Sequence, residues 1–318
     1  MSASIQAIYW LTLIGCANIF GGRLYAQQFT TVRTDDGIEI SEGGKKVLFY
    51  QIKPKSLNGK YERTNYVHPL YSLREVVLTE DFPEDHPHHR GIFWAWHQII
   101  HNNKPIADGW TCENISWHVV NSDTQVKKDK IALRNEVLWK TAVNADNPLP
   151  VIRENSSIVV HGSQPEYRII DFDIELIALL DNLEIGGSND PKGYSGFSLR
   201  FKLPDDITFL TKDNEVKAQE LAVSAGPWLD FFGSFEGRGI PESGVAVFCH
   251  PSNPGFPQPW ILRASRSMQN PAYPGNIPVK LTRAGLHFRY RLVIHEKTVN
   301  ALHLEKLYQE YASTRSSR

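Results

Sequence analysis

The feature that most limits the fold of this chain is a strict alternation of apolar and polar side chains. In residues 170–176 the apolar positions are Ile170, Phe172, Ile174 and Leu176, separated by Asp171, Asp173 and Glu175. A period of two is typical of a β-strand with one buried face and one polar face. Residues 197–203 and 286–292 repeat the alternation with mostly basic side chains at the polar positions. We therefore predict a β-strand at each of these segments.

Shorter apolar runs between turn-forming residues predict strands through most of the chain. Residues 38–40 and 47–50 flank the turn 42–45 and predict a hairpin. Further strands are predicted at 76–78, 92–96, 115–120, 131–139 and 245–249. Helical spacing is confined to the tail, where Thr298 is the predicted N-cap of a helix containing Leu304, Leu307, Tyr308 and Tyr311.

The order of these elements predicts the fold class. No internal repeat, low-complexity tract or long linker divides the chain after its leader. We predict a single all-β domain over residues 27–318, built as a large antiparallel β-sandwich with a short C-terminal helix. Polar side chains concentrated on one face of several strands suggest a concave sheet lined by them.

The first 26 residues differ from the remainder, because residues 5–20 are mostly apolar and uncharged. This run is short for a membrane span, and the small residue Ala26 suits a signal-peptidase site. We predict that residues 1–26 are a signal peptide and that the mature protein is exported to the periplasm. The alternative is a membrane-anchored lipoprotein, since Leu13-Ile14-Gly15-Cys16 resembles a lipobox that would be lipidated at Cys16. Either leader leaves no integral membrane span.

Composition narrows the classes of partner. The formal net charge is −1 and no basic stripe carries interleaved aromatics, so nucleic acid is not a predicted partner. Eight Trp, twelve Tyr and fifteen Phe suit both β-sheets and sugar-binding clefts. Beyond the leader, Cys112 and Cys249 are either one disulfide or two free thiols, and the sequence leaves both open.

The densest group of chemically active side chains is a run of histidines. Five of the twelve histidines fall within sixteen residues: His86, His88, His89, His97 and His101. Histidine transfers protons near neutral pH and is the commonest metal ligand. We predict that His86, His88, His89 and Arg90 are catalytic and need no cofactor, while Trp94 and His97 bind substrate. Two other interpretations remain: a divalent metal bound through these histidines, or histidines that satisfy buried backbone groups of a loop.

Two other segments contain candidate site residues. Arg63, Tyr66 and His68 are two or three residues apart, which suits a substrate-binding wall; ordinary surface solvation is the alternative. Tyr194 lies on a loop bounded by glycines, from which a catalytic tyrosine would reach into a cleft. Arg200 follows on a polar strand face, where it would bind a substrate carboxylate or form an ordinary salt bridge.

These motifs resemble the PmoA-like domain family over nearly the whole mature chain. The resemblance rests on His86-Pro87-His88-His89-Arg90-Gly91 followed by Phe93-Trp94-Ala95-Trp96, on Tyr66-Val67-His68-Pro69, on Gly193-Tyr194-Ser195-Gly196-Phe197, and on Arg289-Tyr290-Arg291-Leu292-Val293-Ile294-His295. Many relatives have a segment rich in Gly, Asp and Asn after the Trp pair. This chain has His97-Gln98-Ile99-Ile100-His101 instead, a departure that bears on substrate preference.

The resemblance implies a fold like the β-supersandwich of galactose-mutarotase-like proteins and a secreted bacterial protein of polysaccharide degradation. It does not imply methane oxidation, a copper-dependent reaction in membranes. Some relatives are similar to oligosaccharide dehydratases that act on uronic-acid ends in ulvan breakdown. The implied activity is a carbon–oxygen lyase, which removes water from the non-reducing-end uronic acid of sulfated oligosaccharides and leaves a 4,5-unsaturated uronate.

Roles for the candidate residues follow from that reaction. Arg90, with Arg63 or Arg200, would neutralise the substrate carboxylate. His88 or His89 would act as the base. The predicted acids are Tyr194 and His86.

Other activities in the same cleft remain open. They are a glycoside hydrolase, an epimerase and a non-catalytic sugar-binding protein. A hydrolase normally needs two carboxyl groups. The candidates for those are Glu84, Asp85, Glu113 and Asp230.

Overall fold

A computed structural model describes residues 29–142, 147–237, 240, 242–265 and 268–315. The predicted leader, residues 1–26, lies outside this range. In chain order the strands are β1 (Phe29–Arg33), β2 (Gly37–Glu42), β3 (Lys45–Gln51), β4 (Lys55–Leu57), β5 (Lys60–Arg63), β6 (Tyr66–Leu70), β7 (Ile92–Trp96), β8 (Gln98–His101), β9 (Lys104–Ala107), β10 (Ser116–Val126), β11 (Lys130–Thr141), β12 (Leu149–His161), β13 (Tyr167–Ala178), β14 (Leu183–Gly186), β15 (Ser195–Leu199), β16 (Thr208–Leu210), β17 (Trp228–Gly233), β18 (Ser243–Cys249), β19 (Trp260–Ile261), β20 (Asn270–Pro271), β21 (Val279–Leu281) and β22 (Leu286–Glu296). The helix α1 spans Ala301–Ala312.

Two large antiparallel sheets dominate the fold. One has six strands in the order β1-β2-β3-β6-β7-β15, and the other has eight in the order β10-β11-β12-β13-β22-β18-β17-β16. A four-stranded sheet, β21-β14-β8-β9, and the pairs β19-β20 and β4-β5 are smaller.

The hydrophobic core lies between the two large sheets. Alternate residues of β7 and β15 meet the alternate apolar residues of β13 and β22, as the period of two requires. The Trp94 ring lies 6.5 Å from Phe172, and Phe197 stacks on Tyr290 at 4.4 Å. The predicted all-β antiparallel sandwich with a short C-terminal helix is therefore confirmed. A specific likeness to galactose-mutarotase-like proteins stays a prediction.

Three local predictions were wrong. Residues 76–78 form no strand, and of the three only Val77 makes an isolated bridge, to Tyr71. Strand β15 ends at Leu199, and its predicted polar face is buried, with Ser198 at 0% and Arg200 at 1% exposure. The helix is capped by the Asn300 side chain, which accepts the His303 backbone N–H at 3.0 Å, and not by Thr298.

Helix α1 covers only one end of the outer face of the eight-stranded sheet. Its buried side chains pack on residues of β17, β18 and β22: Leu304, Leu307, Tyr308 and Tyr311 against Trp228, Phe248 and Val293. The outer face of β11, β12 and β13 is left with polar side chains. No helix in the described residues has the length and apolarity needed to cross a lipid bilayer.

Candidate active site

The candidate site lies on the outer face of the six-stranded sheet, away from the sandwich core. Strand β7 is buried on both faces. One face belongs to the main core, while Phe93 and Ala95 on the other pack with Tyr66, Trp110 and Met268. The segment 80–91 and the loop 108–114 cover this second cluster, and they carry most of the chemically active side chains.

Three histidines of the covering segment are in mutual ring contact, and we call them the histidine cluster: His86, His88 and His89. The His86 and His89 rings are parallel, with centroids 4.7 Å apart, and His88 stands nearly perpendicular to His89 at 4.6 Å. The structure thus brings all three predicted catalytic histidines together.

His88 is the member of the cluster best suited to take a proton. It is half-buried, and no described residue hydrogen-bonds to its imidazole. Burial lowers the pKa of His88 from 6.5 to about 4, and the neighbouring His86 and Arg63 add to the effect. At neutral pH this imidazole is uncharged, with both ring nitrogens available to a ligand.

His89 is more deeply buried and has a different environment. It is 3% exposed and stands edge-on to Trp110 at 6.1 Å. Burial first, and then the neighbouring His88 and His86, hold its pKa far below the usual range. The Arg200 Nη1 lies 3.4 Å from its Nδ1. These contacts suit a packing role beneath His88 better than proton transfer.

His86 is held by a relay of charged groups that includes Arg200. The Asp85 carboxylate lies 2.8 Å from His86 Nδ1 and accepts Arg200 Nη2 at 2.7 Å. Arg200 Nε donates to Glu80 at 2.7 Å. Burial opposes ionisation of Asp85, but the bonds from Arg200 and His86 lower its pKa. Arg200 therefore binds carboxylates of the protein itself and positions His86.

Arg90 also binds groups of the protein itself. Its side chain is 0% exposed; Nη1 donates to the carbonyl of Pro87 at 2.8 Å, Nη2 to that of Tyr61, and Nε pairs with Asp81 at 3.4 Å. Its guanidinium lies over the Phe82 ring at 3.4 Å. Arg90 thus ties the histidine segment to its surroundings.

Arg63 differs from the other two arginines, because no carboxylate of the described residues pairs with it. It is 1% exposed and lies between the rings of Phe93, at 4.8 Å, and Trp117, at 4.2 Å. Nη2 donates to the Gly109 carbonyl and lies 3.5 Å from Cys112 Sγ, while Nε has no hydrogen-bond partner in the described part of the chain. A buried cation without an anion is costly, and the rings offset only part of that cost.

A second Asp–His pair lies beside the cluster. His97 Nδ1 is 2.8 Å from Asp108, and the His97 ring stacks on Trp110 at 5.2 Å. Burial opposes ionisation of Asp108, but His97 and the backbone N–H groups of Thr111 and Trp110 lower its pKa. Our sequence analysis missed Asp108 and Trp110. The Asn102-Asn103 turn could have predicted a hairpin of β8 and β9. Such a hairpin brings the residues after β9 back to His97.

Tyr194, which directly precedes the edge strand β15, also contacts Trp110. Its ring lies 5.6 Å from Trp110, and its hydroxyl accepts Arg263 Nη2 at 2.7 Å and Nε at 3.1 Å. Two accepted bonds fill the lone pairs of the hydroxyl and leave its proton free to be donated. Arg263 was also missed, and nothing in its local sequence marks it.

Three residues predicted to bind substrate make their contacts within the protein. Trp94 points into the sandwich core at 2% exposure. Tyr66 is fully buried, and its hydroxyl donates to Asp81 at 3.2 Å. His68 lies 2.9 Å from the Thr79 hydroxyl, and burial lowers its pKa to about 4. No contact joins His68 to the histidine cluster among the described residues.

The ligand types needed for a metal are present, but their arrangement differs from a metal centre. Within the described ranges, no group of three or more His, Cys, Asp or Glu side chains is placed to hold a metal ion. Cys112 and Cys249 are free thiols, the first half-buried beside Arg63 and the second buried in the core.

Comparison with known proteins assigns the chain to a family. Residues 37–309 match the model of a family of unknown function, DUF6807. The match covers most of the chain, including every strand of the two large sheets except β1 and the whole candidate site, so the chain belongs to this family. No curated protein matches the sequence.

Proposed function

We propose that this protein is a hydro-lyase that removes water from the uronic-acid end of an acidic oligosaccharide. One observation carries the proposal: the histidine cluster and Arg63 share the Phe93 ring, with the His89 ring 6.5 Å and the Arg63 guanidinium 4.8 Å from it, and no carboxylate of the described residues pairs with this buried cation. Elimination from a uronic acid needs a base next to a positive charge that holds the substrate carboxylate.

The three candidate arginines differ in their carboxylate partners. Arg90 pairs with Asp81, and Arg200 pairs with Asp85 and Glu80. Of the three, only Arg63 has no carboxylate partner among the described residues, so we assign its charge, from beneath the site, to stabilising the substrate carboxylate. Its positive charge also adds to the burial that lowers the pKa of His88.

The reaction then uses groups around Trp110. His88 takes the proton from C5, and the electron pair of that C–H bond forms the double bond to C4. Arg63 stabilises the charge that grows on the adjacent carboxylate. The C4–O bond breaks, and the Tyr194 hydroxyl, bound by Arg263, gives its proton to the departing hydroxyl, which leaves as water. His97, oriented by Asp108, is placed to bind a sugar hydroxyl.

The experiment that tests the proposal follows the mass of the product. Leaderless protein is incubated with uronate-ended oligosaccharides, sulfated and unsulfated, and products are examined by mass spectrometry and ultraviolet absorbance. Loss of one water with a new absorbing double bond supports a dehydratase. Gain of water indicates a hydrolase, and unchanged mass with solvent deuterium at C5 indicates an epimerase. Binding without any of these changes indicates a non-catalytic sugar-binding protein.

Removal of the Arg63 charge is expected to damage the reaction of uronates selectively. Arg63→Gln should lower kcat/KM about 10²–10³-fold, the scale seen when one electrostatic group is lost from a transition state. Arg63→Lys keeps the charge and should recover part of the loss. Arg283→Gln, in an exposed ion pair, is the control. Equal activity of the Gln and Lys variants would remove Arg63 from its proposed role.

The lowered pKa of His88 predicts an unusual pH profile. The base form persists down to about pH 4 in the folded protein, so kcat/KM should stay level from neutral pH to about pH 5 and fall below it. Unfolded histidines bind protons near 6.5, so folding stability decreases as pH falls from that value towards 4. Circular dichroism at each pH separates the two effects. An acid limb at the ordinary histidine pKa would contradict the assignment of His88 as base.

A further inference from the structure

The outer face of the eight-stranded sheet carries a second polar groove, remote from the histidine cluster. Its largest part is a cleft of about 800 Å³ over β11, β12, β13 and β22. A deeper cleft of about 510 Å³ adjoins it, and the two share Arg134, Ser157 and Asp173. The deeper cleft is closed at one end by Tyr311 and Thr314, at the end of α1.

Strand register arranges the floor of this groove in rows. Arg134, Ser157, Asp173 and Arg289 are consecutive register partners across four strands. Side chains of one row lie about 5 Å apart, and rows on the same face lie about 7 Å apart along the strands. A neighbouring row runs through Glu136, Asn155, Glu175 and His287. The floor is therefore a regular array of donors and acceptors.

Two aspartates on this floor each contact one histidine and one arginine. Asp171 accepts two bonds from Arg291, at 2.6 and 2.9 Å, and lies 2.7 Å from His161 Nε2. Asp173 contacts His287 and, at 3.7 Å, Arg289. These groups are half-buried and held in fixed orientations. They suit a ligand that presents many hydroxyl groups, since a hydroxyl both donates and accepts.

Cationic side chains outnumber carboxylates in the lining of the deeper cleft. Five lysine and arginine side chains line it, against two aspartates: Lys127, Lys130, Arg134, Arg289 and Arg291 against Asp171 and Asp173. Arg289 and Arg291 are paired with the aspartates. No carboxylate of the described residues pairs with Lys127, Lys130 or Arg134, and Arg134 makes only a 3.4 Å bond to Gln125. Three cations thus remain available to a ligand.

We propose that this groove binds an acidic oligosaccharide, with the sugar hydroxyls on the Asp–His–Arg floor and a sulfate or carboxylate group at Lys127, Lys130 and Arg134. The carboxylates on the floor disfavour a densely charged phosphate chain, while a glycan with spaced anionic groups matches both the floor and these cations. The groove would bind the body of an oligosaccharide whose end reacts at the histidine cluster. The choice of ligand in this inference rests on the proposed function.

The test measures binding with the proposed active site disabled. In the His88→Ala/Arg63→Gln protein, affinity for a sulfated, uronate-containing ulvan octasaccharide is measured by titration calorimetry. Adding Lys130→Ala and Arg134→Ala should weaken binding about ten-fold, as two partly exposed charge contacts would. Adding Lys45→Ala and Lys212→Ala removes two exposed charges elsewhere and should change affinity less than about two-fold. Hydrogen exchange should show protection in residues 130–137, 153–161 and 287–291.

Other outcomes overturn the proposal. Equal loss of affinity in both double variants would leave only general charge attraction. Binding of single-stranded oligo-dT as tight as that of the octasaccharide would mean an unspecific cation patch, and protection confined to residues 85–97 would place all binding at the first site. Because binding is measured without turnover, failure of the dehydratase assay leaves this result interpretable, and the reverse also holds.

Discussion

His88→Ala is expected to lower the kcat of dehydration by about 10²–10⁴-fold, the usual contribution of a general base. The imidazole has no hydrogen bond to a described residue, so its removal leaves no polar group without its partner. The fold and the KM should therefore change little. Added free imidazole should restore part of the activity, since it can occupy the space left by the side chain.

The control for this variant is His118→Ala, an exposed histidine on β10 in the other large sheet. It should have normal kcat. Stopped-assay mass spectrometry of substrate and product measures both variants on one scale. Near-normal turnover of His88→Ala would exclude it as the base and shift attention to His97.

Arg90→Ala should make the protein unfold more readily, whereas the sequence alone predicted a catalytic role for Arg90. The variant takes the donor from three backbone carbonyls, while the Asp81 carboxylate keeps Lys55 at 2.6 Å and Tyr66. Leaving a buried acceptor without its donor costs about 1–3 kcal/mol, so the total loss should exceed about 2 kcal/mol. Urea unfolding followed by tryptophan fluorescence measures the loss.

Two companion variants separate charge from packing at this position. Arg90→Lys keeps a charge near Asp81 and should recover part of the stability, but it cannot serve all three carbonyls. Arg283→Ala removes an exposed pair with Asp181 and should change stability by less than about 1 kcal/mol. An Arg90→Ala protein with normal stability and no activity would return Arg90 to a catalytic role.

The sequence predicted the sheets well because each long strand has one wet face and one dry face. Strands β13 and β22 were predicted from alternation, and β11 from its apolar residues between turn signals. Alternation gave the wrong burial where an irregular segment covers a sheet face. Arg200 has the position of a solvent-facing residue, yet segment 80–91 buries it. Periodicity reports which side chains share a face, and it does not report what lies above that face.

The site was predicted in part for the same reason. The histidine cluster was found because its members are adjacent in sequence, and Tyr194 because glycines flank it. Asp108, Trp110 and Arg263 arrive from distant loops. The roles of the arginines depend on the partners that the folded chain brings to them: Arg90 contacts Asp81, whereas no carboxylate of the described residues pairs with Arg63.

The segment that carries the histidines is fastened by buried arginines and not by strand pairing. Arg90 and Arg200 together hold Glu80, Asp81 and Asp85 from within the protein. The imidazoles are thus fixed before any ligand arrives. Ligand binding then costs little side-chain and loop entropy, because these groups were already ordered when the chain folded. A short sugar with few contacts can therefore be recognised at this surface, where a mobile loop would require a larger ligand to restrain it.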